Sequence, residues 1–153
     1  MLAVDGRCKT FDARANGYAR GEGVGAGVFA LGRHSVQMST EVMGSSVRQD
    51  GRSASLTAPN GRAQQVLLES ALRCAGVQGL QRIEAHGTGT SLGDPTETGA
   101  LEKVHASTDR PSPLTVGASK GSVGHGEGAA GQVGVLRVYH VACSATGAGN
   151  TQL

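Results

Sequence analysis

The sequence predicts an α/β fold built on a parallel sheet. Three observations carry this expectation. Short apolar runs alternate with longer helical patterns in the order strand, helix, strand, helix, which is how crossover units read in sequence. Glycine is abundant, 25 of 153 residues, so tight turns and close backbone approaches are expected. Aromatic residues make up only 3% of the chain, so the core must be assembled from small side chains and buries little large apolar area. At 38% hydrophobic and 17% charged residues the chain reads as globular, long enough for one domain with a core.

Each element has a local reason. Residues 8–23, "CKTFDARANGYARGEG", mix polar residues with glycine and read as an ordered loop. The apolar run Val24 to Leu31 predicts a buried strand and the alternating "SVQMSTEVMGSSV" a second, the pair joined as a hairpin through "GRH". "NGRAQQVLLESALRCAGV" predicts a helix with Asn60 as N-cap and Gly76 as stop. Leu67, Ala71 and Cys74 recur at helical spacing, which turns Cys74 to the core. "QRIEAH" predicts a strand ending on His86. "DPTETGALEKVHAS" predicts a helix with Asp94 as N-cap, Pro95 at its first position and Glu97 closing an acidic capping box. "SPLTVGAS" predicts a strand, and "GEGAAGQVGVLRVYH" a last helix whose glycines suit close packing.

Several function classes are disfavoured. The net charge is +2 with no basic cluster, so no nucleic-acid surface is expected. No apolar run reaches the length of a membrane span. The start "MLAVDGRCKTFD" lacks the charged and apolar regions of a signal peptide, which suggests a cytosolic or organellar rather than a secreted protein. Cys8, Cys74 and Cys143 are odd in number and lack ligand spacing, so reduced thiols and no metal site are expected.

His86 sits at a strand end before a glycine turn, and His125 does much the same in "SKGSVGHGEGAAG". Ligands gather at the carboxyl ends of parallel strands, so the two imidazoles are candidates to converge on one pocket. His34, His105 and His140 are expected in solvent. "GEGAAG" spells a dinucleotide motif but stands well past its strand with no acid after Glu127. "GASKG" spells a nucleophile elbow around Ser119, with Glu127 and His140 following in hydrolase order.

Four blocks together resemble the β-ketoacyl synthase (ketosynthase) domain of type I polyketide and fatty acid synthases: "GRCKTFDARANGYARGEGVG", "GSSVRQDGRSASLTAPNGRAQQ", "IEAHGTGTSLGDPTETGAL" and "GASKGSVGHGEGAAGQVGVLRV". They keep the family's order and spacing, so residues 1–138 read as part of a ketosynthase domain and residues 139–153 as a divergent tail. The resemblance implies a thiolase-like, layered αβαβα fold, incomplete here, spanning the end of its N-terminal half and the start of its C-terminal half.

The resemblance also implies chemistry. The family performs decarboxylative Claisen condensation of an acyl thioester with a malonyl group carried on the phosphopantetheine of an acyl carrier protein, and it works as a homodimer. No cofactor is expected on the domain itself. His86 and His125 match the histidine pair that stabilises the enolate. Lys120 matches the family lysine, Glu97 the acid that pairs with it, and Thr88 and Thr90 the threonines that bind the pantetheine arm. The second histidine block departs from the family: Ser122 stands at the asparagine position, and Gly121 and Gly126 loosen the turn. The nucleophilic cysteine belongs to an upstream Asp-Thr-Ala-Cys-Ser block not found in this chain. Cys143 in "ACSAT" lies on the wrong side of both histidines to replace it. The chain alone is therefore expected not to complete a condensation. The alternatives are a non-catalytic piece that pairs with a complete ketosynthase, and a serine hydrolase using Ser119.

Overall fold

The computed structural model describes residues 1–31, 40–55, 57–106 and 112–144. Helix α1 spans Gly61–Ala75, strand β1 Arg82–Glu84, helix α2 Gly93–His105, strand β2 Thr115–Gly117, the short helix α3 Lys120–Val123, and helix α4 Ala130–Ser144 after a 3-10 turn at Glu127–Ala129. β1 and β2 pair in parallel, with Ile83 opposite Val116, as the element order predicts. α1 packs on α2, and α4 packs on β1.

Asn60 caps α1 as expected. Its side-chain oxygen accepts from the N–H groups of Arg62 and Ala63, both at 3.1 Å, which is worth about 1 kcal/mol. Gly76 ends the helix in the left-handed conformation, and the Gly76 and Val77 N–H groups close onto Arg73 and Leu72. Cys74, however, is exposed. The last turn presents Ala75 inward instead, where residue 44 comes so close that a Cβ on Gly44 would lie 2.6 Å from the Ala75 nitrogen.

The expected hairpin does not form among the described residues. Residues 24–31 and 40–47 hold no strand, and Val24, Val28, Leu31 and Val47 are almost fully exposed. Among the described residues these side chains find no apolar layer to pack on, and a lone strand pair with neither face buried is marginal in water. The connection "GRH", His34 and the first part of the second run lie outside the described residues.

α2 departs from its expected start. It begins at Gly93, so Pro95 is not its first residue, and no side chain caps it through the position before. The carboxylates of Asp94 and Glu97 are spent elsewhere, as shown below. Asp94, Leu101 and His105 follow helical spacing and share a buried stripe. His105 is therefore 1% exposed, not solvated. It stands one turn after Leu101, and that register overrides the preference of a cation for the helix end. His140 is exposed on α4, as expected.

The core suits an aromatic-poor chain. Its buried apolar residues are Ala3, Cys8, Ala85, Ala100, Leu101, Ala118 and Ala130. Ala85 and Ala118 follow the two strands directly, so the interior lies beneath the loops that leave the sheet.

Candidate active site

His86 follows β1 by two residues, and His125 follows β2 beyond the single turn of α3. The parallel pairing brings both loops to the same edge of the sheet. The two imidazoles meet edge to face, with ring centroids 5.3 Å apart. The convergence expected from their matched contexts is thus present.

The N-terminal loop, residues 8–21, clasps both histidine loops. On the first, the Thr10 hydroxyl donates to the Gly87 carbonyl at 2.6 Å, Gly17 N–H donates to Gly89, and Phe11 N–H donates to the Asp94 carboxylate. On the second, His125 N–H donates to the Ala19 carbonyl at 2.7 Å, and the His125 carbonyl accepts from Gly21. Cys8 ties the loop to itself: its sulfur accepts from Ala19 N–H and donates to the Ala19 carbonyl. None of these partners was legible as a site residue in the sequence.

Two carboxylates shape the first loop from beneath. Glu97 accepts from His86 N–H at 2.6 Å and from Gly87 N–H at 2.8 Å. Asp94 accepts from Gly89, Thr90 and Phe11. The acidic start of α2 is therefore a cradle for the histidine loop rather than a capping box. Thr90 takes up part of the capping work, its hydroxyl accepting from Gly93 N–H and lying 3.3 Å from the hydroxyl of Thr88.

The second histidine is fixed in tautomer as well as place. Glu127 N–H points at His125 Nδ1 at 3.0 Å, so Nδ1 accepts and the neutral ring carries its proton on Nε2. The Tyr18 ring leans on the imidazole with centroids 5.1 Å apart. Phe11 and Glu127 are the non-glycine residues at positive φ among those described, and both spend their N–H on this site. Backbone strain concentrated at one place is common where geometry must be held for function.

The electrostatics favour neutral imidazoles. Desolvation pushes both histidines below the ordinary value of 6.5, although His86 keeps one open face. The Lys120 ammonium pushes them further down, and His86 adds to the effect on His125. Lys120 is 6% exposed at the start of α3. Its own burial lowers its pKa, with Glu97 and then Glu84 opposing. Burial raises Glu97, while the Gly87 and His86 amides hold it down. A shallow cleft between residues 21–23, α3 and the start of α4 reaches Lys120.

The remaining candidates are not drawn in. Ser119 is buried in ordinary helical conformation, and among the described residues no hydrogen bond joins it to Glu127 or His140. Glu127 instead pairs with Arg20 at 3.5 Å. Cys143 is exposed near the end of α4, and "GEGAAG" forms the 3-10 turn that opens that helix. No group of metal-ligating side chains forms among the described residues.

The family model for the β-ketoacyl synthase C-terminal domain matches residues 39–146, and that for the N-terminal domain matches residues 1–34. The chain belongs to the β-ketoacyl synthase family. Among curated relatives, it is 47% identical over 143 residues to an erythronolide synthase of Saccharopolyspora erythraea, covering 90% of this chain and 4% of that protein. It is 43% identical over 144 residues to a highly reducing polyketide synthase of a fungus, covering 90% of this chain and 6% of that protein. Among solved structures, it resembles the ketosynthase from module 6 of the bacillaene synthase from Bacillus subtilis 168, with a TM-score of 0.77 and 29% identity over 92% of this chain and 26% of that one. The oxazolomycin ketosynthase domain of Streptomyces albus JA3453 gives the same TM-score at 31% identity. The chain thus has the thiolase-like α/β fold of the ketosynthases over about a quarter of their length.

Proposed function

We propose that this chain carries the malonyl-activating part of a polyketide-type ketosynthase active site. The observation that carries the reading is the facing imidazole pair, with His125 held as a neutral Nε2–H donor. A malonyl thioester, presented on the phosphopantetheine of an acyl carrier protein, sets its carbonyl oxygen between the two rings. The bond to the carboxylate breaks and carbon dioxide leaves. The electron pair moves into an enolate whose oxygen the imidazole N–H groups stabilise without reorganising. The enolate carbon then attacks an acyl thioester, and a cysteine thiolate departs.

That cysteine comes from the family's upstream block: Cys8 is buried in the clasp, and Cys74 and Cys143 face solvent on helices. Lys120 holds the imidazoles neutral, and Glu97 offsets its charge and fixes the His86 backbone. The Thr88 and Thr90 hydroxyls share one hydrogen bond, which leaves one of their two protons for the pantetheine arm. The working unit is a homodimer, as the family implies.

The test is carbon dioxide release from malonyl-carrier protein by the intact polypeptide that contains this sequence. His125→Ala and His86→Ala are each expected to slow it by about 10²–10³-fold, the usual cost of losing one oxyanion donor, while acyl loading continues. Wild-type decarboxylation in both variants would overturn the reading.

A further inference from the structure

We propose that Glu84 is a positioning residue for Lys120, fixing the helix start that carries the lysine against the strand that carries His86. The proposal rests on the ketosynthase reading above.

Glu84 ends β1, two residues before His86. One of its oxygens accepts the N–H of Ser119, the residue just before Lys120. The other pairs with Arg137 of α4 at 3.2 Å, with side chains only 11% and 19% exposed. α4 passes close to this arrangement at Gly134, where a Cβ would lie in van der Waals contact, 3.4 Å from Glu84 Cγ. Three elements therefore meet on one carboxylate. The groups acting on Lys120 are Glu97 and Asp94 from α2, Glu84 from β1 and Cys8 from the N-terminal loop; the two imidazoles respond to it in turn. Arg137, on the far oxygen of Glu84, is a second cation that the same carboxylate balances.

A purely structural acceptor would not need its charge, which separates the two roles. Glu84→Gln keeps an oxygen for Ser119 N–H but removes the negative charge and leaves Arg137 uncompensated. Lys120 then loses its proton at lower pH, and with it the positive charge beside the two imidazoles that helps to stabilise the enolate. The basic limb of the malonyl decarboxylation profile is expected to move down by about one pH unit, the scale of one nearby charge. Acyl loading serves as the control for folding. In Glu84→Gln/Arg137→Met the uncompensated arginine is gone as well, yet the limb should stay displaced, because Arg137 is not among the groups acting on Lys120.

The experiment is the pH profile of carbon dioxide release by the intact polypeptide, for wild type, these two variants and Lys120→Met. If Lys120→Met abolishes the basic limb and Glu84→Gln leaves it in place, the Glu84 proposal fails alone. If Lys120→Met leaves the limb unchanged, the role of the lysine fails and the proposal falls with it.

Discussion

The histidine loops and the described residues 24–31 and 40–47 make an instructive pair. Around the histidines, loop amides find acceptors across the chain: Phe11 on Asp94, Gly17 on Gly89, His86 on Glu97, His125 on Ala19. Thr10, Ala85, Thr88 and Ala118 are buried there with little large apolar surface to drive it. In the other region the apolar residues are larger, yet Val24, Val28, Leu31 and Val47 stand open. Apolar content therefore does not decide which region is ordered around a core. A closed set of backbone partners does, because a loop can be buried only where its polar groups are answered. The site region contains its partners, whereas the exposed run is a surface suited to further packing.

Two glycines at positive φ, one held in the clasp and one in open space, should break or uphold that contrast. Gly89 has φ +78° and lies in the clasp, where a Cβ would come 2.6 Å from the Lys9 nitrogen. Gly51 has φ +64° and nothing within 4 Å. Alanine at 51 pays only left-handed strain, about 1–2 kcal/mol. Alanine at 89 adds a backbone clash and should cost about 2–5 kcal/mol in all. Denaturant midpoints of the intact polypeptide measure both, and equal losses would show that the closed set of partners in the clasp adds nothing to the cost.

A smaller effect sharpens the same point. Thr10→Val keeps the shape of a fully buried side chain but leaves the Gly87 carbonyl without its 2.6 Å partner. The expected loss is about 1–3 kcal/mol, accompanied by slower decarboxylation, because Gly87 adjoins His86. A stability loss with unchanged decarboxylation would show that the clasp holds the fold but not the histidine.

What was legible in the sequence follows the same division. α1 declares both ends through Asn60 and Gly76, and the parallel pairing of β1 and β2 follows from element order; both are local or topological signals. The histidine pair was legible through matched strand ends and through the ketosynthase resemblance. Cys74, His105 and the role of Asp94 were misread because each depends on what faces the helix rather than on the helix itself. Thr10 and Phe11 lie in a block that carries the resemblance, but nothing local marks them as site residues, since their partners lie 77 and 83 residues away. Glu84 lies inside the predicted strand "QRIEAH" and shows its role only when Ser119 and Arg137 arrive from other elements.

The central claim is that His125 enters the reaction as a neutral Nε2–H donor beside a neutral His86. Nitrogen-15 spectra of the two imidazoles in the intact polypeptide, followed from pH 8 to pH 4, test it most directly. Both folded-state pKa values lie below 6.5, so protonation is resisted in the folded state and the associated stability, full above that value, is lost as pH falls through the lowered pKa. The account predicts an unprotonated Nδ1 and a protonated Nε2 on His125 at neutral pH, with both rings taking up a proton only below 6.5. An imidazolium at neutral pH, or a His125 protonated on Nδ1, would contradict it.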